Sequence, residues 1–143
     1  MQARPFTIRT ATWRDDEVAL RWVRTLVFVE EQEIDAREEF DDADKVCQHL
    51  LALDAHGKSI GTCRVEAQGR IGRVAVLAEW RKAGIGRVLL QNAIDLARIN
   101  GMKRVHLNAQ VSALGFYERA GFAACGERFL EAGIEHLAME LEL

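Results

Sequence analysis

The chain has 143 residues and a net charge of −3, with 49% of its residues apolar and 29% charged. Those figures suit one domain, residues 1–143, with a substantial core, and they exclude the strongly basic surface of a nucleic-acid binder. No window approaches a membrane span in length, and the start MQARPFTIRT lacks the apolar segment of a signal peptide.

Phe6–Thr10 reads as a short strand. Thr12 can cap a helix whose first turn carries Asp15, Asp16 and Glu17, where carboxylates suit the helix dipole. Val18, Trp22, Val23, Leu26 and Val27 keep a helical period to about Val29. The stretch from Glu30 to Asp44 is acidic and irregular, with room for a short helix. His49–Asp54 and Ser59–Glu66 form a hairpin around Ala55-His56-Gly57-Lys58, and Gly69 turns the chain into a third strand, Ile71–Leu77. A long helix runs from Gly84 to about Asn100, its apolar face carrying Val88, Leu89, Ala93, Leu96 and Ala97, and Asn100-Gly101 ends it. Arg104–Gln110 alternates as a strand, Ser112 caps a short helix ending near Arg119, and a hairpin of Phe122–Leu130 and Ile134–Leu143 closes the chain. The order predicts an α/β (α+β) fold: a mixed, mostly antiparallel central sheet of about seven strands with helices on both faces.

Three cysteines, Cys47, Cys63 and Cys125, form no CxxC pair and leave an odd thiol. They imply reduced thiols and a cytoplasmic location. No His/Cys cluster suggests zinc, and DDADKVCQH lacks the glycine and terminal glutamate of a calcium loop. No metal is expected.

The strand ending at Leu77 runs into Arg81-Lys82-Ala83-Gly84-Ile85-Gly86-Arg87 at the mouth of the long helix. The unpaired N–H groups of a helix start attract anions, two glycines let a phosphate approach the backbone, and Arg81, Lys82 and Arg87 add charge. GxxxxGK followed by Ser or Thr is absent, and Gly84-Ile85-Gly86 is not continued into GxGxxG. The string from Arg81 to Gly86 instead resembles the R/Q-x-x-G-x-G/A signature of the GNAT superfamily of acyl-CoA-dependent N-acyltransferases. VAVLAEW before it resembles that family's strand and loop, with Ala78 where a proline is usual, and LNAQVSALGFYERAGF resembles the second signature. VFVEEQ, then Glu39, Asp41 and Asp44, then His49, is similar to the ElaA-like branch.

This resemblance implies transfer of acetyl from acetyl-CoA to an amine acceptor, small molecule or peptide. It implies that the amides from Arg81 to Arg87 hold the pyrophosphate. The strand Val74, Ala75, Val76 would pair the pantetheine arm, the Val76 amide facing the thioester oxygen. Asn108 and Gln110 would bond the pantetheine amides, and Phe116 would pack on the cofactor or the core. Tyr117, the only tyrosine, falls where the family faces the departing sulfur. A base for the amine could be Glu31, Glu66, His106 or His49, with Glu31 preferred for its place after the first helix. From Glu30 to Asp44 nine carboxylates face one arginine, either a solvated loop or a lure for a cationic amine. A CoA-binding module without catalysis is the alternative. The terminal strand could pair with an edge of a second copy, giving a homodimer.

Overall fold

The computed structural model describes residues 4–143. Its first sheet is an antiparallel meander in the order β1 (Phe6–Ala11), β2 (Gln48–Asp54), β3 (Ser59–Val65), β4 (Ile71–Val76). The second pairs β5 (Arg104–Gln110) with β8 (Ile134–Glu142), and β8 in turn with β6 (Ala123–Ala124) and β7 (Phe129–Glu131). There are thus eight strands in two sheets among the described residues, where sequence periodicity gives seven in one. The difference arises at Phe122–Leu130, where the exposed Gly126-Glu127-Arg128 interrupts the alternation and divides one expected strand. β8 lies between β5 on one side and β6 and β7 on the other, so the terminal strand offers no free edge to a second copy.

α1 (Trp13–Arg24) starts as expected, with the Thr12 side chain accepting from the Asp15 amide. It then continues as a π-helical segment, Thr25–Glu31, before the four-residue α2 (Ala36–Glu39). α3 (Ile85–Ile99) buries Ile85, Leu89, Leu90, Ala93, Ile94 and Ala97. α4 (Leu114–Arg119) is preceded by a 3-10 turn, Val111–Ala113, and its N-cap is Ala113 without a side-chain bond, so Ser112 is not the cap.

β3 is buried at every residue because helices cover both of its faces. Leu51 of β2 joins Trp13 and Leu20 on the α1 side, whereas Leu50 and Ala52 join the cluster containing Leu89 and Ala93 of α3. Each fully buried leucine or isoleucine there contributes about 1.5–3 kcal/mol. α3 comes so close that a Cβ on Gly61 would lie 3.0 Å from Leu89 Cδ1 and 3.2 Å from the Ala52 Cβ.

Candidate active site

β4 and β5 touch at one end only. Arg70 and His106 form an isolated parallel bridge, and the His106 amide donates to the Gly69 carbonyl at 3.0 Å. Beyond that point the strands separate. Two clefts open there, of about 850 Å³ and 620 Å³, and both are lined by Val74, Ala75, Val76, Arg81, Ala113 and Tyr117.

The direction of the backbone groups follows from the β3–β4 register. Leu77 donates to the Ile60 carbonyl at 3.0 Å, which makes 77/60 a hydrogen-bonded pair and the neighbouring Val76/Gly61 a non-hydrogen-bonded one. The N–H and C=O of Val76 therefore point away from β3, into the gap. The carbonyl is taken by Arg81 Nε at 3.0 Å. The amide is left as a donor facing the junction of the clefts.

The larger cleft holds the glycine turn. Arg81, Lys82, Gly84, Ile85, Gly86, Arg87 and Phe116 line it, Arg119 adds a fourth cation, and no carboxylate faces it. Lys82 and Gly84 take φ of 68° and 84°, left-handed positions that turn the chain sharply into α3. Gly84 gives α3 no side-chain cap, so the first-turn N–H groups keep no intrahelical acceptor. Gly86 lies beside Phe116, where a Cβ would just touch the ring at 3.4 Å. Ala83 is exposed and does not line the cleft, unlike its neighbours. Cationic side chains, bare amides and an apolar wall suit a pyrophosphate with an organic tail.

Tyr117 stands where the clefts meet. Its ring lies edge-on to Phe116 at 5.0 Å and to Phe122 at 6.1 Å, and burial pushes its hydroxyl pKa well above the usual phenol range. The hydroxyl makes no hydrogen bond among the described residues.

Asn108 and Gln110 line the smaller cleft and not the larger one. Both side chains share the outer face of β5, and the Gln110 side-chain amide donates to Gln32 Oε1 at 2.8 Å. They stand on the bank of the gap opposite β4, and the Gln110 amide is already engaged by Gln32.

The carboxylate preferred as base also has a partner. Both oxygens of Glu31 accept from Arg81 at 2.6 Å, and this contact holds the Glu31 pKa below the usual carboxylate range. A carboxylate with a lowered pKa and both oxygens engaged is a weak base. His49 is buried, its Nε2–H donates to the Asp44 carbonyl at 2.8 Å, and burial lowers its pKa. Glu66 and His106 line neither cleft.

The acidic stretch is solvated along most of its length, with seven of its nine carboxylates exposed, but Glu39 and Asp44 are buried. Arg24 is completely buried, its guanidinium bonded to Glu39 Oε2 at 2.8 Å and Asp44 Oδ1 at 2.7 Å, with its charge 4.9 Å from the Phe40 ring centroid. Arg64 reaches Asp41 at 2.8 Å and Asp44 at 3.0 Å. Arg73 reaches the Glu39 carbonyl at 2.9 Å and Asp41 at 3.2 Å. Three arginines thus fasten the stretch against β3 and β4, as one wall of the smaller cleft. Sequence reading passed over these arginines, and over Gln32 and His136. His136 lines the smaller cleft with Nδ1–H donated to the Ile134 carbonyl at 2.7 Å.

Residues 21–143 match the family model described as an acetyltransferase (GNAT) domain. The chain is 35% identical over 122 residues to the Bacillus subtilis protein named "Uncharacterized N-acetyltransferase YjcF", a match covering 82% of this chain and 86% of that one. The fold is similar to the crystal structure of an acyl-CoA N-acyltransferase from Pseudomonas aeruginosa, with a TM-score of 0.85, 30% identity, and coverage of 95% and 99%. It is also similar to Escherichia coli ElaA, with a TM-score of 0.84 over 94% of this chain and 98% of that one; at 24% identity this likeness concerns the fold.

Proposed function

Because the chain belongs to the GNAT acetyltransferase family, we propose that it moves the acetyl group of acetyl-CoA directly to a primary amine of a small molecule or peptide. The observation that carries this reading is the junction of the clefts, where Val76, its amide turned away from β3, and Tyr117, its hydroxyl unpartnered among the described residues, line both. The larger cleft takes the cofactor, its pyrophosphate on the amides from Arg81 to Arg87. The smaller cleft takes the amine, with Glu38 beside it to suit a cationic approach.

Attack of the amine on the thioester carbon places negative charge on the acyl oxygen. A preorganised amide such as that of Val76 lowers the barrier by roughly 3 kcal/mol in comparable acyl transfers. Tyr117 donates a hydrogen bond to the departing sulfur, and the proton shed by the attacking nitrogen passes to solvent, from which the thiolate regains one. The raised pKa of Tyr117 makes full proton transfer to a thiolate uphill, since an ordinary thiol has a pKa near ~8.5. Glu31 orients Arg81, which in turn holds the Val76 carbonyl. No residue of the chain forms a covalent acyl intermediate in this scheme. Cys63 is buried, with its thiol pKa pushed up to about 12.

All three cysteines are unpaired, which suits a cytoplasmic location, and no helix among the described residues is long and apolar enough to cross a membrane. The test is thiol release from acetyl-CoA across a panel of amines, with calorimetry of CoA in parallel. Amine-dependent release supports the transferase. Binding without release on any amine favours a non-catalytic CoA module. No binding overturns both.

A further inference from the structure

We propose that Arg73 is a positioning residue for acyl transfer: it holds β4 in the register that turns the Val76 amide into the cleft. This rests on the transferase reading above.

The β3–β4 ladder changes frame partway along. Val65 pairs with Ile71 and Arg64 with Gly72, but Thr62 pairs with Ala75 and Gly61 with Val76. β4 therefore carries one extra residue, and Arg73 and Val74 together face Cys63, the arrangement of a β-bulge. Its effect follows by alternation. At the lower end Glu66 donates to the Arg70 carbonyl at 2.8 Å, so in an unbroken ladder the hydrogen-bonded pairs would be 64/72, 62/74 and 60/76. Val76 would then bond to β3, and the outward amide would be that of Ala75. The extra residue exchanges them.

The bulge sits on an unfavourable conformation. Arg73 has φ of 53°, in the left-handed region that side-chain-bearing residues rarely occupy. It is held from two sides. The Arg73 carbonyl accepts from Thr62 Oγ1 at 3.0 Å. Its guanidinium reaches the Glu39 carbonyl at 2.9 Å, the Glu39 carboxylate at 3.1 Å and Asp41 at 3.2 Å. Glu39 and Asp41 are themselves fixed by Arg24 and Arg64. The buried ion network thus has its outlet at the one residue of β4 whose backbone decides which amide faces the thioester.

The experiment compares Arg73→Ala, Arg73→Gly and Thr62→Val with the native chain, using an amine the native chain acetylates, and checks folding by thermal denaturation. Arg73→Ala should lower kcat at least about tenfold while the KM for acetyl-CoA stays within about threefold, since transition-state contact is what is lost. Arg73→Gly should recover at least about threefold of that loss, because glycine accepts positive φ without a clamp. Thr62→Val, which removes only the hydroxyl bond, should lower kcat by about threefold or more, and it carries the test if Arg73→Ala does not fold. A kcat for Arg73→Ala within twofold of native, or an Arg73→Gly no faster than Arg73→Ala, overturns the proposal. If Arg73→Ala does not fold, a Thr62→Val kcat within twofold of native overturns it. Absence of thiol release from the native chain is a separate result, and it overturns the transferase reading as well.

Discussion

Substituting Tyr117→Phe isolates a single oxygen. The ring contacts with Phe116 and Phe122 survive the change, and the hydroxyl bonds to no residue described, so stability should move by less than about 0.5 kcal/mol. In the proposed transition state the same oxygen donates to a sulfur gaining negative charge. Hydrogen bonds to charged groups are worth about 1.5–3 kcal/mol, which corresponds to a loss of roughly 10- to 150-fold in kcat. Thiol release measured by a chromogenic disulfide, at saturating amine and varied acetyl-CoA, gives kcat and KM separately, and calorimetry with CoA reads affinity. The expected pattern is a fall in kcat with CoA affinity within about twofold of native, because the sulfur gains its charge only in the transition state. A kcat within twofold of native removes the hydroxyl from the mechanism. A loss confined to KM would make Tyr117 a binding residue, and the reasoning would fail.

Glu31→Gln tests the reassignment of that carboxylate. An exposed ion pair is worth up to about 1 kcal/mol, so the loss in kcat should stay under about fivefold, whereas loss of a general base costs roughly 10²–10⁴-fold. Arg24→Met removes the most buried partner of Glu39 and Asp44, leaving Glu39 only Arg73 and Asp44 only Arg64, and should cost about 3 kcal/mol of stability, read as a fall of about 10 °C in Tm. Asp44→Asn should cost more at neutral pH than Glu39→Gln in chemical denaturation. Burial raises the Asp44 pKa, but the bonds and charges of Arg24 and Arg64 outweigh it and leave a lowered value. Asp44 therefore stabilises above the unfolded pKa of about 3.9 and loses that contribution as pH falls through its lower folded value. At Glu39 burial outweighs the arginines and the pKa is raised, so its stabilisation is present below about 4.3 and fades as pH rises through the folded value. Equal costs for the two variants at pH 7 would contradict this assignment.

The parts of the site that were legible are those with a local cause. Gly84 stands at φ 84° in a turn that glycine suits, and the sequence marks it by Gly84-Ile85-Gly86 at a helix start. Tyr117 is a lone tyrosine inside a family motif. The illegible parts depend on residues far apart. Arg24 meets Asp44 across 20 positions and Glu31 meets Arg81 across 50, and neither partner signals the other in the sequence. The bulge was hidden because arginine is no marker of positive φ. Alternation correctly placed Asn108 and Gln110 on one face of β5, but it carries no information about which cleft that face borders. Composition marks the acidic run as mostly solvated, which holds for seven of its nine carboxylates, but it cannot show that three arginines of α1, β3 and β4 converge on the buried Glu39 and Asp44.

The π-helical winding of Thr25–Glu31 has a consequence for how this scaffold could be reshaped. It brings two successive residues to opposite banks of the divide, Glu31 to Arg81 beside β4 and Gln32 to Gln110 on β5. A chain one residue shorter here would wind as ordinary α-helix, and everything after the deletion would swing by about 100°. Neither tie could then form. The span between α1 and α2 is therefore a ruler, and trimming or lengthening it would recut the smaller cleft without changing one side chain that lines the larger cleft alone.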